Sequence, residues 1–461
     1  MARSASRGWA SLVGLLVVLL AAGTATYELG WIDHWRGHDR VAPTPPPRPL
    51  GLALPSLAPA APVAAVSSGG TLKRAKLSTV LRRHLDSALG GHVLAAVAPT
   101  SGAPLVVHGS GSAVPASTNK LLTAATVLRL DGPAKRFTTR VVAQGRTVTL
   151  IGGGDPLLVA KPEHTYPHRA DLTTLAQRAA VALKQRGVTK VRLTYDDSLF
   201  TGPAVNPTWP ASYISEGVVA PITALWVDEG RTDDGESRVA DPALVAAQAF
   251  AQALTDAGIR IRRAPTADVA PQGAQEIAHV DSPPLREIVD HVLETSDNEG
   301  AEVLAHQAGL AAGTGASFDG GVQAVLRTLP KLGVDTTGIS IHDGSGLSRQ
   351  DSLPVTALVQ VLQRATSDDA LAPIVSALPV AGFSGSLMAR YADRGDQGRG
   401  VVRAKTGTLT GVDALAGYTR DANGTPLVFA VMADHVAVPN TLKARNALDD
   451  LATALTTCRC G

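Results

Sequence analysis

Ser117 and Lys120 stand three residues apart in Ser117-Thr118-Asn119-Lys120, and a helix there puts the hydroxyl and the amine on one face, one turn apart. A serine becomes a nucleophile when a base stands beside it, and a desolvated lysine is such a base. This Ser-x-x-Lys match is the only one among the chain's ten lysines, although a surface helix accounts for it equally well. Lys405-Thr406-Gly407-Thr408 is a rarer combination. It follows the strand-like run Val401-Val402-Arg403-Ala404, so Lys405 and Gly407 are expected to face one way from a sheet. A glycine there would let a substrate backbone lie against the strand; the plain alternative is a strand end with a turn. Ser296-Asp297-Asn298 falls between two helical stretches, a loop position suited to presenting a hydroxyl and an amide. By itself it discriminates poorly, because Ser117-Thr118-Asn119 also fits Ser-x-Asn.

The elements that must position these groups can be read from periodicity. Leu77, Leu81, Leu85 and Leu89 recur at helical spacing, with Gly90 placed as a C-cap. His92 to Ala98 and Pro104 to Val107 read as a hairpin around Thr100-Ser101-Gly102, and a helix is expected from Ser117 to Leu130. Between residues 135 and 281 the texture changes to short strands, loops and one helix, including Thr147 to Ile151 followed by Gly152-Gly153-Gly154-Asp155-Pro156. Helical periodicity returns through Leu285, Ile288, Val289, Val292 and Leu293. Ala414 to Tyr418 and Leu427 to Met432 flank Asp421-Ala422-Asn423-Gly424, a hairpin signal, and Thr441 to Thr457 forms a last helix. Strands at both ends with helices between them give an α+β pattern built on an antiparallel sheet.

Composition narrows the function. The 461 residues carry 42 basic and 40 acidic side chains, a net charge of +2, which leaves no broad basic face for nucleic acid. With 45% hydrophobic residues the chain can fold, and its length allows about three domains. Cys458 and Cys460 are the only cysteines, too few for a disulfide framework or a four-thiolate metal site. Two residues apart, they read as an incidental frayed tail or as thiols partnered elsewhere. The twelve histidines show no ligand spacing on a helix, since Pro167 interrupts His164 and His168, so no metal is expected.

Residues 8–27 are free of charge, bracketed by Arg7 and Glu28, and long enough for one bilayer crossing. Arg3 and Arg7 before the run and Glu28 and Asp33 after it place residues 1–7 in the cytoplasm and the rest outside. A cleaved signal peptide is the competing reading, favoured by the small residues Ala21-Ala22-Gly23-Thr24-Ala25. Residues 28–75 include a Pro/Ala-rich spacer that would hold a globular body away from a membrane. The expected location is the cell membrane, single-pass, with an extracytoplasmic body, or secretion if the leader is cleaved.

The three motifs in this order, with Asp343-Gly344-Ser345-Gly346-Leu347-Ser348-Arg349 and the flanks Pro115-Ala116 and Leu409-Thr410-Gly411, resemble a known family. It is the D-alanyl-D-alanine carboxypeptidase/endopeptidase family of class C low-molecular-mass penicillin-binding proteins, the S13 serine peptidases. The resemblance covers roughly residues 75 to 455. It implies a β-lactamase/transpeptidase-like fold, with a catalytic domain split across 76–134 and 282–461 and an inserted domain at 135–281. It implies no cofactor, peptidoglycan stem peptides as substrate, and β-lactams as covalent inhibitors that acylate Ser117.

In the roles the resemblance implies, Ser117 attacks the D-Ala-D-Ala carbonyl and Lys120, kept neutral by burial and by the charge of Lys405, takes its proton. Ser296 relays a proton to the leaving group, and Asn298 binds the substrate amide and orients Lys120. Lys405, Thr406 and Thr408 hold the terminal carboxylate along the strand that includes Gly407, and backbone N–H groups of Ser117 and Thr408 form the oxyanion hole. Asp297 points away. Arg349 would pair with the carboxylate of a diaminopimelate stem residue, with Trp209 as a wall; a structural arginine and a core tryptophan are the alternatives. A β-lactamase on the same scaffold and an inactive wall-binding protein are the competing functions.

Overall fold

The computed structural model describes residues 70–232, 235, 237–391 and 397–461. The anticipated membrane span at 8–27 and nearly all of the spacer lie outside the described residues. Among the described residues no helix is long and apolar enough to cross a membrane.

The chain enters through helix α1 (Arg74–His84), which buries Leu77 and Leu81. The helix expected to run on to Leu89 breaks after His84, because the Asp86 side chain captures the Ala88 N–H and starts a separate 3-10 turn, Ser87–Leu89. Strands β1 (Val93–Pro99) and β2 (Val106–His108) form the expected antiparallel hairpin. Next comes α2 (Lys120–Asp131), buried at every position from Lys120 to Leu128. A helix buried on every side does not lie on a surface, which removes the surface-helix explanation of Ser-x-x-Lys.

A second sheet occupies the stretch from Thr138 to Asp281. It contains β3 (Thr138–Gln144), β4 (Thr147–Ile151), α3 (Leu172–Gln185), β5 (Lys190–Asp196) and α4 (Pro242–Asp256). The short strands β6 (Arg260–Ile261), β7 (Thr266–Ala267) and β8 (Gln275–Asp281) follow. The strand order is β6-β5-β4-β3-β8 with β7 also on β5, and β4, β5 and β6 run parallel through the α3 and α4 crossovers. Two helices therefore stand where one was expected. They cover one face of this sheet with Leu172, Leu175, Ala179, Leu183, Ala246 and Phe250.

Helices α5 (Leu285–Thr295), α6 (Asn298–Ala311), α7 (Phe318–Thr328) and α8 (Val355–Ser367) lead to β9 (Arg403–Leu409), β10 (Val412–Arg420), β11 (Pro426–Ala433) and the final α9 (Thr441–Thr457). The central sheet has the order β2-β1-β11-β10-β9 and is antiparallel throughout. Its strands alternate between two cores. Ala96, Ala414, Val428, Ala430 and Met432 face α2 and α8, whereas Val97, Leu415, Phe429 and Val431 face α1 and α9. Both faces are covered, so the near-continuous apolar runs of β10 and β11 are what such a layer requires.

The C-terminal tail is not frayed. Cys458 and Cys460 form a disulfide, Cys460 is buried, its carbonyl accepts from Lys73 N at 2.6 Å, and Gly461 N donates to Asp421 at 2.6 Å. A tail with its backbone groups paired on both sides stays down.

Candidate active site

Ser117 lies in a 3-10 turn, Ala116–Asn119, at the head of α2. Ala116 has φ +47°, a sparsely populated backbone for a residue with a Cβ. The surroundings hold it there. Gly346, at φ +83°, passes so close beneath that a Cβ on it would meet the Ala116 carbonyl at 1.9 Å. Gly407 approaches from β9, and a Cβ there would meet the Pro115 carbonyl at 2.6 Å and Thr118 N at 3.2 Å. The glycine of Lys405-Thr406-Gly407-Thr408 is therefore needed to admit the nucleophile-bearing turn. Room for a substrate backbone, the expected reason, is not what its missing Cβ supplies.

Lys120 Nζ reaches three acceptors: Ser117 Oγ at 2.9 Å, Asn298 Oδ1 at 2.8 Å and the Ser345 carbonyl at 2.9 Å. Burial of the amine lowers its pKa to about 8, against the opposing pull of Asp343, Asp297, Glu302 and Glu299. Lys405 was expected to contribute to this depression. Instead the effect runs the other way: Lys405 is held well below its ordinary value by its own burial and by the charge of Lys120. Its Nζ donates to Ser296 Oγ at 2.8 Å and to the Thr406 carbonyl at 3.0 Å.

Ser296 and Asn298 reach the site because a helix pair turns there. Ser296 closes α5 in the left-handed conformation, φ +63°, and Asp297 caps α6 by accepting from Gly300 N at 3.0 Å. Asp297 is thus a capping residue, its carboxylate engaged at the head of α6. Asn298 Nδ2 donates to the Val218 carbonyl at 2.9 Å, which aims Oδ1 at Lys120. Next to it, buried Glu299 accepts from Ala220 N at 3.1 Å and pairs with the buried Arg238 guanidinium.

The loop Asp343 to Ser348 is the other half of the frame. Asp343 accepts from Gly346 N and Ser348 N, each at 2.6 Å, and from Trp209 Nε1 at 2.7 Å. Glu302 accepts from Ser345 N at 2.7 Å and from Gly344 N. These bonds fix the Ser345 carbonyl against Lys120. Trp209 packs edge-on against Phe318 in a buried cluster, so it is a core residue and not a pocket wall.

A cleft of about 390 Å³ opens over this constellation, lined by Ser117, Ser296, Asn298, Thr406, Thr408 and, from the second-sheet segment, Tyr213 and Glu216. Thr406 Oγ1 bonds Ser386 Oγ at 2.8 Å and Thr408 Oγ1 bonds Asp413 at 3.3 Å. Arg349 is not among the lining residues; its Nη2 donates to the Thr410 carbonyl at 2.9 Å, on the β9–β10 turn. Seven of the nine expected site residues thus meet in one cleft or its floor, Gly407 packs behind it, and Arg349 lies at its edge. Val218, Glu299, Arg238 and Ser386 were not anticipated. Nothing in their sequence context marks them, since each acts through a fold contact.

The model of the D-Ala-D-Ala carboxypeptidase 3 (S13) family matches residues 75–235 and 234–455. The chain belongs to the S13 family. Among curated relatives, Carboxypeptidase Rv3627c of Mycobacterium tuberculosis is 37% identical over 434 residues, 91% of this chain and 90% of its own. Carboxypeptidase DacB of Mycolicibacterium smegmatis is 36% identical over 466 residues, 97% of each chain. The crystal structure of penicillin binding protein 4 from Haemophilus influenzae superposes with a TM-score of 0.68 at 20% identity, covering 82% of this chain and 98% of that one. That likeness shows that the S13 chain shares the fold of that structure.

Proposed function

We propose that this S13 protein is a serine D-Ala-D-Ala carboxypeptidase/endopeptidase acting on peptidoglycan stem peptides through an acyl-enzyme on Ser117, and that β-lactams inhibit it by acylating the same oxygen. The observation that carries the reading is the set of partners around Lys120. A protonated amine satisfies all three acceptors with its three hydrogens. A neutral amine has two hydrogens and one lone pair. The carbonyls of Asn298 and Ser345 can only accept, so the lone pair must face Ser117, the one partner able to donate. Deprotonation thus turns this lysine into a base aimed at the nucleophile.

In the acylation step Ser117 Oγ bonds to the scissile carbonyl carbon while its proton passes to Lys120 Nζ. The carbon–nitrogen bond then breaks, and the proton that Lys120 took passes through Ser296, which Lys405 orients, to the departing D-Ala nitrogen, leaving Lys120 neutral again. Backbone N–H groups of Ser117 and Thr408 stabilise the oxyanion, and Thr406 and Thr408 on the cleft wall receive the terminal carboxylate. Water attacks the ester by the reverse route. With a β-lactam the leaving nitrogen stays tethered, and the ester persists. Arg349 gives one N–H to the Thr410 carbonyl, which leaves its other donors for a stem-peptide carboxylate. Segment 135–281 is read as an inserted domain, and residues 8–27 as a single membrane anchor that leaves the body extracytoplasmic.

Incubation with a labelled penicillin followed by electrophoresis tests the nucleophile. One covalent label per chain is expected, and none on Ser117→Ala. Label persisting on Ser117→Ala refutes the assignment. Release of D-Ala from a stem pentapeptide, lost in the same variant, tests the substrate.

A further inference from the structure

We propose that His92, Asp434 and His435 form a binding site for a divalent cation of the zinc class at one end of the central sheet, with Asp434 shared between the cation and the segment that carries Ser117.

Register brings the three together. Strands β1 and β11 pair through Val93 and Ala433, and one step further out His92 meets Asp434. Cross-strand neighbours present their side chains on the same face, and His92 Nδ1 stands 2.6 Å from Asp434 Oδ1. His435 is brought in by Gly90, whose φ is +82° and whose missing Cβ would otherwise lie 2.1 Å from the His435 carbonyl. One ligand atom from each of the three residues lies within 4.8 Å of the other two.

The ring geometry agrees with a shared metal. With Zn–N near 2.0 Å and a ring radius of about 1.2 Å, two imidazoles on one tetrahedral zinc have centroids roughly 5.2 Å apart. The His92 and His435 centroids are 5.3 Å apart, with the planes tilted 44°. Two imidazoles and one carboxylate suit zinc, whereas calcium and magnesium seek oxygen alone. The fourth position faces solvent, since His435 is exposed.

The carboxylate is already oriented. Asp434 Oδ2 accepts from Val114 N at 3.0 Å, three residues ahead of Ser117, which leaves Oδ1 for the cation. When Nδ1 of His92 ligates, the ring proton sits on Nε2, and the cation replaces the hydrogen between Nδ1 and Oδ1, which must part from 2.6 Å to about 3.3 Å to hold it. Among the described residues, no arginine or lysine forms an ion pair with any of the three. The other such cluster, Glu229, His291 and Asp297, differs on this point, because Arg169 and Arg231 already engage Glu229.

Calorimetric titration of the chelator-treated full chain with Zn²⁺ alone tests the site. One equivalent is expected to bind. His435→Ala and His92→Gln should each weaken binding at least tenfold, and His291→Gln should leave it unchanged. Zn²⁺ should also raise the thermal unfolding midpoint of the parent chain and not that of the double variant His92→Gln/His435→Ala. Failure of the parent to bind an equivalent, binding undiminished in the double variant, or loss of binding in His291→Gln overturns the proposal. His435 is exposed, so His435→Ala gives a folded reference should His92→Gln prove unstable.

Discussion

A base with a pKa near 8 sets a pH profile for acylation. Lys120 must be neutral to accept the Ser117 proton, and burial has brought it from 10.5 to about 8. At pH 7 roughly one-tenth of the molecules then carry the neutral amine, and at pH 9 about nine-tenths, so acylation should speed up about tenfold between them. Rapid-quench measurement of the second-order rate with a fluorescent penicillin, at concentrations far below saturation, reports this free-enzyme titration. The same shift carries a sign for stability. Between about 8 and 10.5 the unfolded chain binds more protons than the folded one. Stability therefore falls as pH drops through that window, and below it a cost of about 3 kcal/mol remains. Lys120→Met removes the titrating group, so it should unfold later in denaturant at pH 7 than its loss of two carbonyl contacts alone would suggest, while acylation disappears. A flat rate profile between pH 7 and 9, or a midpoint near 10.5, would refute the reasoning.

Gly407→Ala should push β9 away from the Ser117 turn, because its Cβ would stand 2.6 Å from the Pro115 carbonyl. The expected result is a loss of about 1–3 kcal/mol in denaturant unfolding and penicillin acylation slowed about a hundredfold, since small misplacements of a reacting group are costly. Arg238→Met should cost about 3–5 kcal/mol in the same unfolding assay, because it strands the buried Glu299 carboxylate. Arg238→Met/Glu299→Gln should recover most of that stability, and a double variant no more stable than the single one would contradict the pairing.

Legibility from the sequence followed locality. Helix α9 spans the expected Thr441–Thr457, and the hairpin across Asp421 to Gly424 forms as its turn residues dictate. Ser117 with Lys120, and Lys405 with Thr406 and Thr408, could be recognised because each motif sits on one element whose geometry fixes its spacing. Gly407 was legible as a glycine, yet its reason was not, because the atoms it admits belong to a turn some 290 residues earlier. One helix too few was expected between residues 135 and 281, although both α3 and α4 bury apolar positions at helical spacing. Burial was anticipated as a cause of the Lys120 shift and is its main cause, whereas the expected contribution of Lys405 is absent because that amine is itself buried and held low.

The hydrogen bond from Asn298 to the Val218 carbonyl makes catalysis conditional on a segment that contributes no acid, base or nucleophile. If Val218 were displaced, Asn298 would lose its tether and Lys120 a fixed acceptor. A displacement that cost about 2.7 kcal/mol would idle roughly one molecule in a hundred. A substitution that shifts the Val218 carbonyl, without altering any acid, base or nucleophile, would thereby lower the fraction of chains able to acylate.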